Sequence, residues 1–142
     1  MYKNREGYSD PTAGAAIGRL MKEYKQTQRD IKRRHNEIKS RPKVYVVSKY
    51  AGDIETNVSK TVDYCRFVIN NNRIPVASHL IYPAILQDSV ATERELGTMF
   101  GLALLALCDE VWVFGKEWSQ GMKTEIVEAK RLGKPLHYYS WR

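Results

Sequence analysis

The sequence predicts a three-layer α/β protein, a parallel sheet with helices on both faces, preceded by an added N-terminal helix. Two observations carry that reading. Short β-branched and aromatic runs alternate with helical patterns of 12–17 residues, and such alternation gives right-handed βαβ units. The first run, Lys43-Val-Tyr-Val-Val-Ser48, is apolar on both faces, as a central parallel strand is.

Residues 1–9 are polar and expected to be poorly ordered. Asp10-Pro11-Thr12 reads as a helix start, with a capping oxygen and a proline where its missing N–H costs nothing. A helix is predicted from Ala13 to about Lys39. Ile17, Tyr24, Ile31 and Ile38 recur every seven residues, widened by Leu20 and Met21 and interrupted by Thr27, Gln28, Arg34 and His35. Such a narrow stripe suits one partner surface. Two readings stand: a solvated helix docking on its own body or on a second subunit, which is favoured, and a basic helix gripping nucleic acid through Arg29, Lys32, Arg33 and Arg34, which is not. Ser40-Arg41-Pro42 closes the segment.

After the first strand, Lys49-Tyr50-Ala51-Gly52-Asp53 forms a loop, and Ile54–Asn70 a helix with Val58, Val62, Cys65 and Ile69 on its inner face. Asn70-Asn71-Asn72 stops it. Arg73–Ala77 is a short second strand whose Pro75 argues for an edge. Ser78–Thr92 is a long connection of the kind that often forms a binding loop. Glu93–Leu107 reads as a buried helix, with Leu96, Met99, Phe100, Ala103, Leu104 and Leu107 inward and Gly97 and Gly101 allowing close approach of another backbone. Val111–Phe114 is a third strand, a helix follows Gly121, Gly133-Lys134-Pro135 ends it, and Leu136–Tyr139 is the last strand.

The stretch from Cys108 to Gly133 organises the rest. It places a glycine-containing turn and a helix N-terminus at the carboxyl end of a strand, where open α/β sheets bind ligands. Such a terminus offers free N–H groups to an anion such as a phosphate. Glu125 lies about one turn inside that helix. On spacing alone it reads instead as a surface or first-turn acid favoured by the helix dipole.

Composition narrows the function. The chain of 142 residues is long enough to bury a core without staples. No apolar run approaches a membrane span, the N-terminal stretch is polar, and a cytosolic protein is the simplest reading. Cys65 and Cys108 lack CxxC spacing and read as buried thiols. No metal-ligand cluster, P-loop or serine-hydrolase elbow is present, so no metal or other cofactor is expected. The net charge of +7 is uneven: residues 1–41 hold 11 Lys/Arg against 5 Asp/Glu, and residues 43–142 hold 12 against 11. The basic character therefore belongs to an arm, residues 1–42, and the α/β domain, 43–142, is nearly neutral.

Four features, all within residues 43–139, resemble the nucleoside 2-deoxyribosyltransferase superfamily, and more closely its uncharacterised bacterial and phage relatives with the domain called DUF4406 or DUF7768. These are Val44-Tyr-Val-Val-Ser-Lys-Tyr-Ala-Gly-Asp53, Asn57, the Cys108-Asp109 pair before a strand, and Ser119-x-Gly121-x-x-x-Glu125 followed by Ala129 and Gly133. The N-terminal Asp10-Pro11-Thr12-Ala13-Gly14 looks like a recurring segment of the phage-type proteins. The resemblance implies a flavodoxin/Rossmann-like fold acting at the N-glycosidic bond of a nucleoside or nucleoside monophosphate, commonly as a homo-oligomer whose neighbouring chain completes the site. It implies Glu125 as the nucleophile at the anomeric carbon. It also implies Ser119 and Gly121 as the turn holding a 5′-phosphate or 5′-hydroxyl, and Ser48, Tyr50 and Gly52 as pocket-lining loop residues.

The sequence departs from this pattern at one place. The family's leaving-group acid, an aspartate about two turns before the third strand, falls here on Gly101. Asp88 and His79, from the long connection, are the candidates to replace it, though a lone histidine is more often a hydrogen-bonded residue. The alternative implied by the missing acid is a non-catalytic nucleotide-binding module of phage type. Trp118, beside the presumed mouth, is a candidate to stack on a base.

Overall fold

A computed structural model describes residues 11–141. The expected cap Asp10 and the polar residues 1–9 lie outside the described residues. The chain divides into two compact units between Ser40 and Arg41. The first contains one helix, α1 (Pro11–Lys39), with no buried residue among those described. A lone helix cannot cover its own stripe, and Leu20, Met21, Tyr24 and Ile38 are all exposed.

The second unit runs β1 (Lys43–Val47), α2 (Ile54–Asn70), β2 (Ile74–Val76), two 3-10 turns at Ser78–Leu80 and Tyr82–Ala84, α3 (Ala91–Leu107), β3 (Glu110–Phe114), α4 (Gln120–Arg131) and β4 (Leu136–Tyr139). The four strands are all parallel, in the order β2-β1-β3-β4. Strands β1 and β3 are central and buried; β2, with Pro75, is an edge strand as expected. The chain leaves β1 toward one side of the sheet and β3 toward the other, so a crevice opens between their carboxyl ends.

Alternation along the central strands builds two cores. Tyr45, Val47, Val111 and Val113 face α3 and α4, meeting Leu105, Met122, Ile126 and Ala129. Val44, Val46, Trp112 and Phe114 face α2, meeting Tyr64 and Val68. This second face is largely aromatic. Tyr64 stacks on Phe114 with centroids 4.5 Å apart, Tyr139 stacks on Phe114 as well, and Phe67 and Trp141 pack edge-on around them.

Polar contacts fix the ends of the strands. Asp109 caps the start of β1, its carboxylate accepting from Lys43 N at 2.8 Å. Glu110 accepts from Arg73 Nε at 3.0 Å and from Trp112 Nε1 at 3.1 Å, tying the residue before β2 to β3. Asp53 caps α2, accepting from Thr56 N. Asn72 and Gly133, both at positive φ, follow α2 and α4 where those helices must reverse.

Two expectations are corrected. First, the inner face of α2 is Thr61, Tyr64 and Val68, with Val62 and Ile69 exposed. Tyr64 and Thr61 carry polar atoms, and a count of apolar residues alone passes over them. Second, α3 is not buried all round. It meets the sheet through Gly101 and Leu105, with Leu104 packed alongside, while Leu96, Met99 (58% exposed), Phe100 and Leu107 (73%) face away. At 100° per residue these four lie on the far side of the helix axis from Gly101. A one-sided contact cannot bury both stripes. Helix α4 also begins earlier than expected, at Gln120, because the Ser119 hydroxyl accepts from Met122 N and starts the helix directly behind itself.

Both cysteines are free thiols, and burial pushes each up to about 11. No helix among the described residues is long and apolar enough to cross a membrane. No group of three or more His, Cys, Asp or Glu among them is placed to hold a metal ion.

Candidate active site

Glu125 stands in the second turn of α4 and is 8% exposed, on the buried side of the helix with Met122, Ile126 and Ala129. A carboxylate is expensive to bury unless hydrogen bonds hold it. The polar group beside it is the Tyr45 hydroxyl, which comes from the middle of β1. Tyr45 also shares a 2.8 Å hydrogen bond with Ser78 Oγ. Burial raises the Tyr45 phenol far above its usual range, with the Glu125 charge adding to the effect. The hydroxyl therefore remains protonated beside Glu125. Burial lifts the Glu125 carboxyl to about 7, the Tyr45 bond pulling the other way. The group is thus balanced between its two protonation states near neutrality.

A cleft of about 670 Å³, open mouth included, lies in front of this carboxylate. Glu125 and Gly121 form one side, Tyr50 and His79 another, and Asp88 with Glu93 and Arg94 the outer rim. Tyr50 and His79 stack with centroids 5.1 Å apart, giving a flat aromatic wall. Burial lowers the His79 pKa, with the Ser48 main chain and the Asp88 charge pulling the other way. Asn57 donates to Tyr50 O and Ala51 O, both at 3.0 Å, which shapes the loop carrying Tyr50. Arg94 donates to Asp88 O at 3.1 Å and fixes the rim.

Of the residues singled out in the sequence, Tyr50, His79, Gly121 and Glu125 come together in the cleft. Ser48, Gly52 and Ser119 are not among its lining residues. The Ser48 hydroxyl points to α2, 2.8 Å from Thr61 Oγ1, which itself donates to Asn57 O. Gly52 is exposed at positive φ in the loop. Ser119 is the α4 cap beside Gly121. Trp118 stacks on Tyr138, centroids 5.6 Å apart, and does not line the cleft. Asp88 lines it, as does Glu93, so two carboxyl groups besides Glu125 face the same space.

Gly101 also lines the cleft, and its neighbours explain why no side chain stands there. A Cβ on Gly101 would lie 3.1 Å from the Tyr45 hydroxyl and 3.4 Å from Ser78 Oγ. The hydroxyl pair occupies the space an acid at that position would need. Sequence reading passed over Tyr45 and Ser78. The available signal was a phenol in an otherwise aliphatic strand buried on both faces, since such a hydroxyl must find a partner.

Residues 42–139 match the family described as a domain of unknown function, DUF7768. The chain belongs to the DUF7768 family. Among solved structures, the DUF7768 fold is similar to that of a 2-deoxyribosyltransferase from the psychrotolerant bacterium Bacillus psychrosaccharolyticus, described as a biocatalyst for the synthesis of nucleosides. The TM-score is 0.58 at 14% identity, covering 69% of this chain and 72% of that one. At that identity the likeness establishes the fold, a parallel α/β sheet shared between this DUF7768 chain and the transferase. No curated protein matches the sequence.

Two predictions come from this geometry. Gly101→Asp destabilises the fold by roughly 2–3 kcal/mol, because overpacking and an unpaired buried charge outweigh the roughly 0.3 kcal/mol of helix propensity gained; urea unfolding measures it. The second concerns pH. The folded carboxyl of Glu125 titrates near 7 and the unfolded one near 4.5, so the folded state binds more protons between those values. Its contribution is fully present below the unfolded value and is lost as pH rises through about 7. Glu125→Gln therefore stabilises the protein more at pH 8 than at pH 5, by up to on the order of 3 kcal/mol, read from paired thermal or urea melts.

Proposed function

We propose that this protein cleaves, or transfers at, the N-glycosidic bond of a nucleoside or nucleoside monophosphate, with Glu125 as nucleophile. The observation that carries the reading is a single buried carboxylate, balanced between its charge states, facing a cleft roomy enough for a sugar and base. An oxocarbenium-like transition state favours a carboxylate beneath the ring, and a covalent intermediate divides the reaction into two steps. A Glu125 oxygen attacks the anomeric carbon as the carbon–nitrogen bond breaks. The bonding pair leaves with the base, which takes a proton from solvent entering at the rim where Asp88 and Glu93 stand. Water or a second base then displaces the glutamyl ester and restores the carboxylate. Tyr45 holds Glu125 in place, and the Tyr50–His79 wall gives the base a flat surface. The shared fold with a 2-deoxyribosyltransferase agrees with this reading.

The filled space at Gly101 favours a second reading, a nucleotide-binding module without turnover. Incubation with a panel of nucleosides and monophosphates, followed by chromatography for released base, separates the two. Catalysis predicts base release that falls by at least about a thousandfold in Glu125→Ala. It also predicts a kcat/KM that rises tenfold per pH unit up to about 7 and then levels, as an ionised nucleophile requires. Tight binding with no base released selects the module.

The protein is further proposed to work as a homo-oligomer through the outer stripe of α3. Leu96, Met99, Phe100 and Leu107 leave apolar side chains exposed along the side of α3 away from the sheet, the kind of surface that serves as an interface. Phe100 packs on Tyr82 of the cleft wall, centroids 5.3 Å apart, and Ile81 and Ile85 beside Tyr82 are exposed as well. A second copy seated there would close the open side of the cleft. Met99→Glu is expected to halve the mass seen by light scattering while circular dichroism stays unchanged; an unaltered mass rejects this interface.

A further inference from the structure

A second cavity opens at the same carboxyl edge of the sheet, on the α2 side of the crevice between β1 and β3. It measures about 750 Å³ with its mouth, and Lys49, Lys60 and Lys116 line it. The three come from separate segments. Lys49 follows β1, Lys116 follows β3, and Lys60 projects from the second turn of α2. Val47 and Val113 are register partners, so the two loop lysines leave adjacent strand ends. Gly115, at φ 102°, makes the bend that brings Lys116 to the rim. Tyr64 and Phe114, stacked and buried, form the floor.

This convergence needs an explanation. Residues 43–142 carry almost equal numbers of basic and acidic groups, so clustering does not follow from overall charge. Like charges drawn together in a concave site repel one another unless a counter-ion joins them. Glu117 is the one acidic residue lining the cavity. Among the described residues none of the three lysines forms a salt bridge. A monovalent carboxylate would leave most of this charge unanswered. Several phosphate oxygens, presented in different directions, would meet all three ammonium groups, and lysine serves phosphate as a point charge without demanding a fixed fork.

We propose that this second cavity is an oligophosphate-binding site, filled by a free pyrophosphate-like anion or by the phosphate tail of a nucleotide. It is distinct from the Glu125 cleft, which lies on the α3–α4 face. The two share only the loop after β1: Lys49 faces the second cavity and its neighbour Tyr50 the first. Occupancy of the lysine site would thus bear directly on the position of the Tyr50 wall.

The test is calorimetric titration of the full chain, at low salt, with inorganic pyrophosphate and separately with a nucleoside diphosphate. Saturable one-to-one binding is expected. It should weaken at least about tenfold in Lys49→Ala/Lys116→Ala and fall steeply with added salt. The surface pair Lys32→Ala/Lys130→Ala should keep wild-type affinity, and Glu125→Gln should keep wild-type affinity for pyrophosphate, which separates this site from the nucleophile. Equal affinity for the two probes assigns a free oligophosphate; tighter binding of the nucleotide that is lost in Lys49→Ala/Lys116→Ala assigns its tail. No binding of either probe, or equal weakening in both lysine pairs, overturns the proposal.

Discussion

The hydroxyl pair of Tyr45 and Ser78, set beside Glu125, is the contact around which this protein is arranged. A carboxylate inside an α/β layer needs polar company, and the Tyr45 hydroxyl supplies it from the centre of the sheet. Tyr45 is wholly buried in β1, so its ring fills core space while its hydroxyl serves the site. Ser78 must then answer the hydroxyl, which fixes the start of the first 3-10 turn after β2. Helix α3 must approach closely enough to cover the pair, which requires glycine at 101. Three elements and a turn are thereby set by one phenol.

Sheet order decides where ligands meet this arrangement. Because β1 and β3 send their chains to opposite sides, their carboxyl ends bound a crevice with two differently furnished halves. The half on the α3–α4 face holds a buried acid and an aromatic wall; the half on the α2 face holds lysines over an aromatic floor. The loop after β1 serves both. Asn57, early in α2, holds that loop by two main-chain oxygens, so a helix on one face sets the shape of the cleft on the other.

The architecture was largely legible in the sequence because alternation of doubly apolar strands with helices leaves few other solutions. Lys43–Val47 announced a central strand, and Pro75 announced an edge. Which side a helix buries was harder to read. On α2 the inner positions include Thr61, whose hydroxyl pairs with Ser48, and Tyr64, whose ring stacks on Phe114, partners that only the fold supplies. On α3 apolar residues occupy both sides, and periodicity does not say which side meets the sheet. In the site, Glu125 and Tyr50 stood out through pattern, but Ser48 pointed elsewhere because Thr61 lies within reach of its hydroxyl. The Tyr45–Ser78 pair joins residues 33 apart in the chain, and no local signal links them.

The close fit around Gly101 also shapes how such a sequence can diverge. An acid introduced at that position alone is crowded, since its first carbon would lie 3.1 Å from the Tyr45 hydroxyl. Shrinking Tyr45 alone would leave Glu125 buried without its polar neighbour and Ser78 without its partner. Each change is harmful until the other is present, so the two arrangements are separated by an epistatic barrier, and descendants would cross it only by changing strand and helix together.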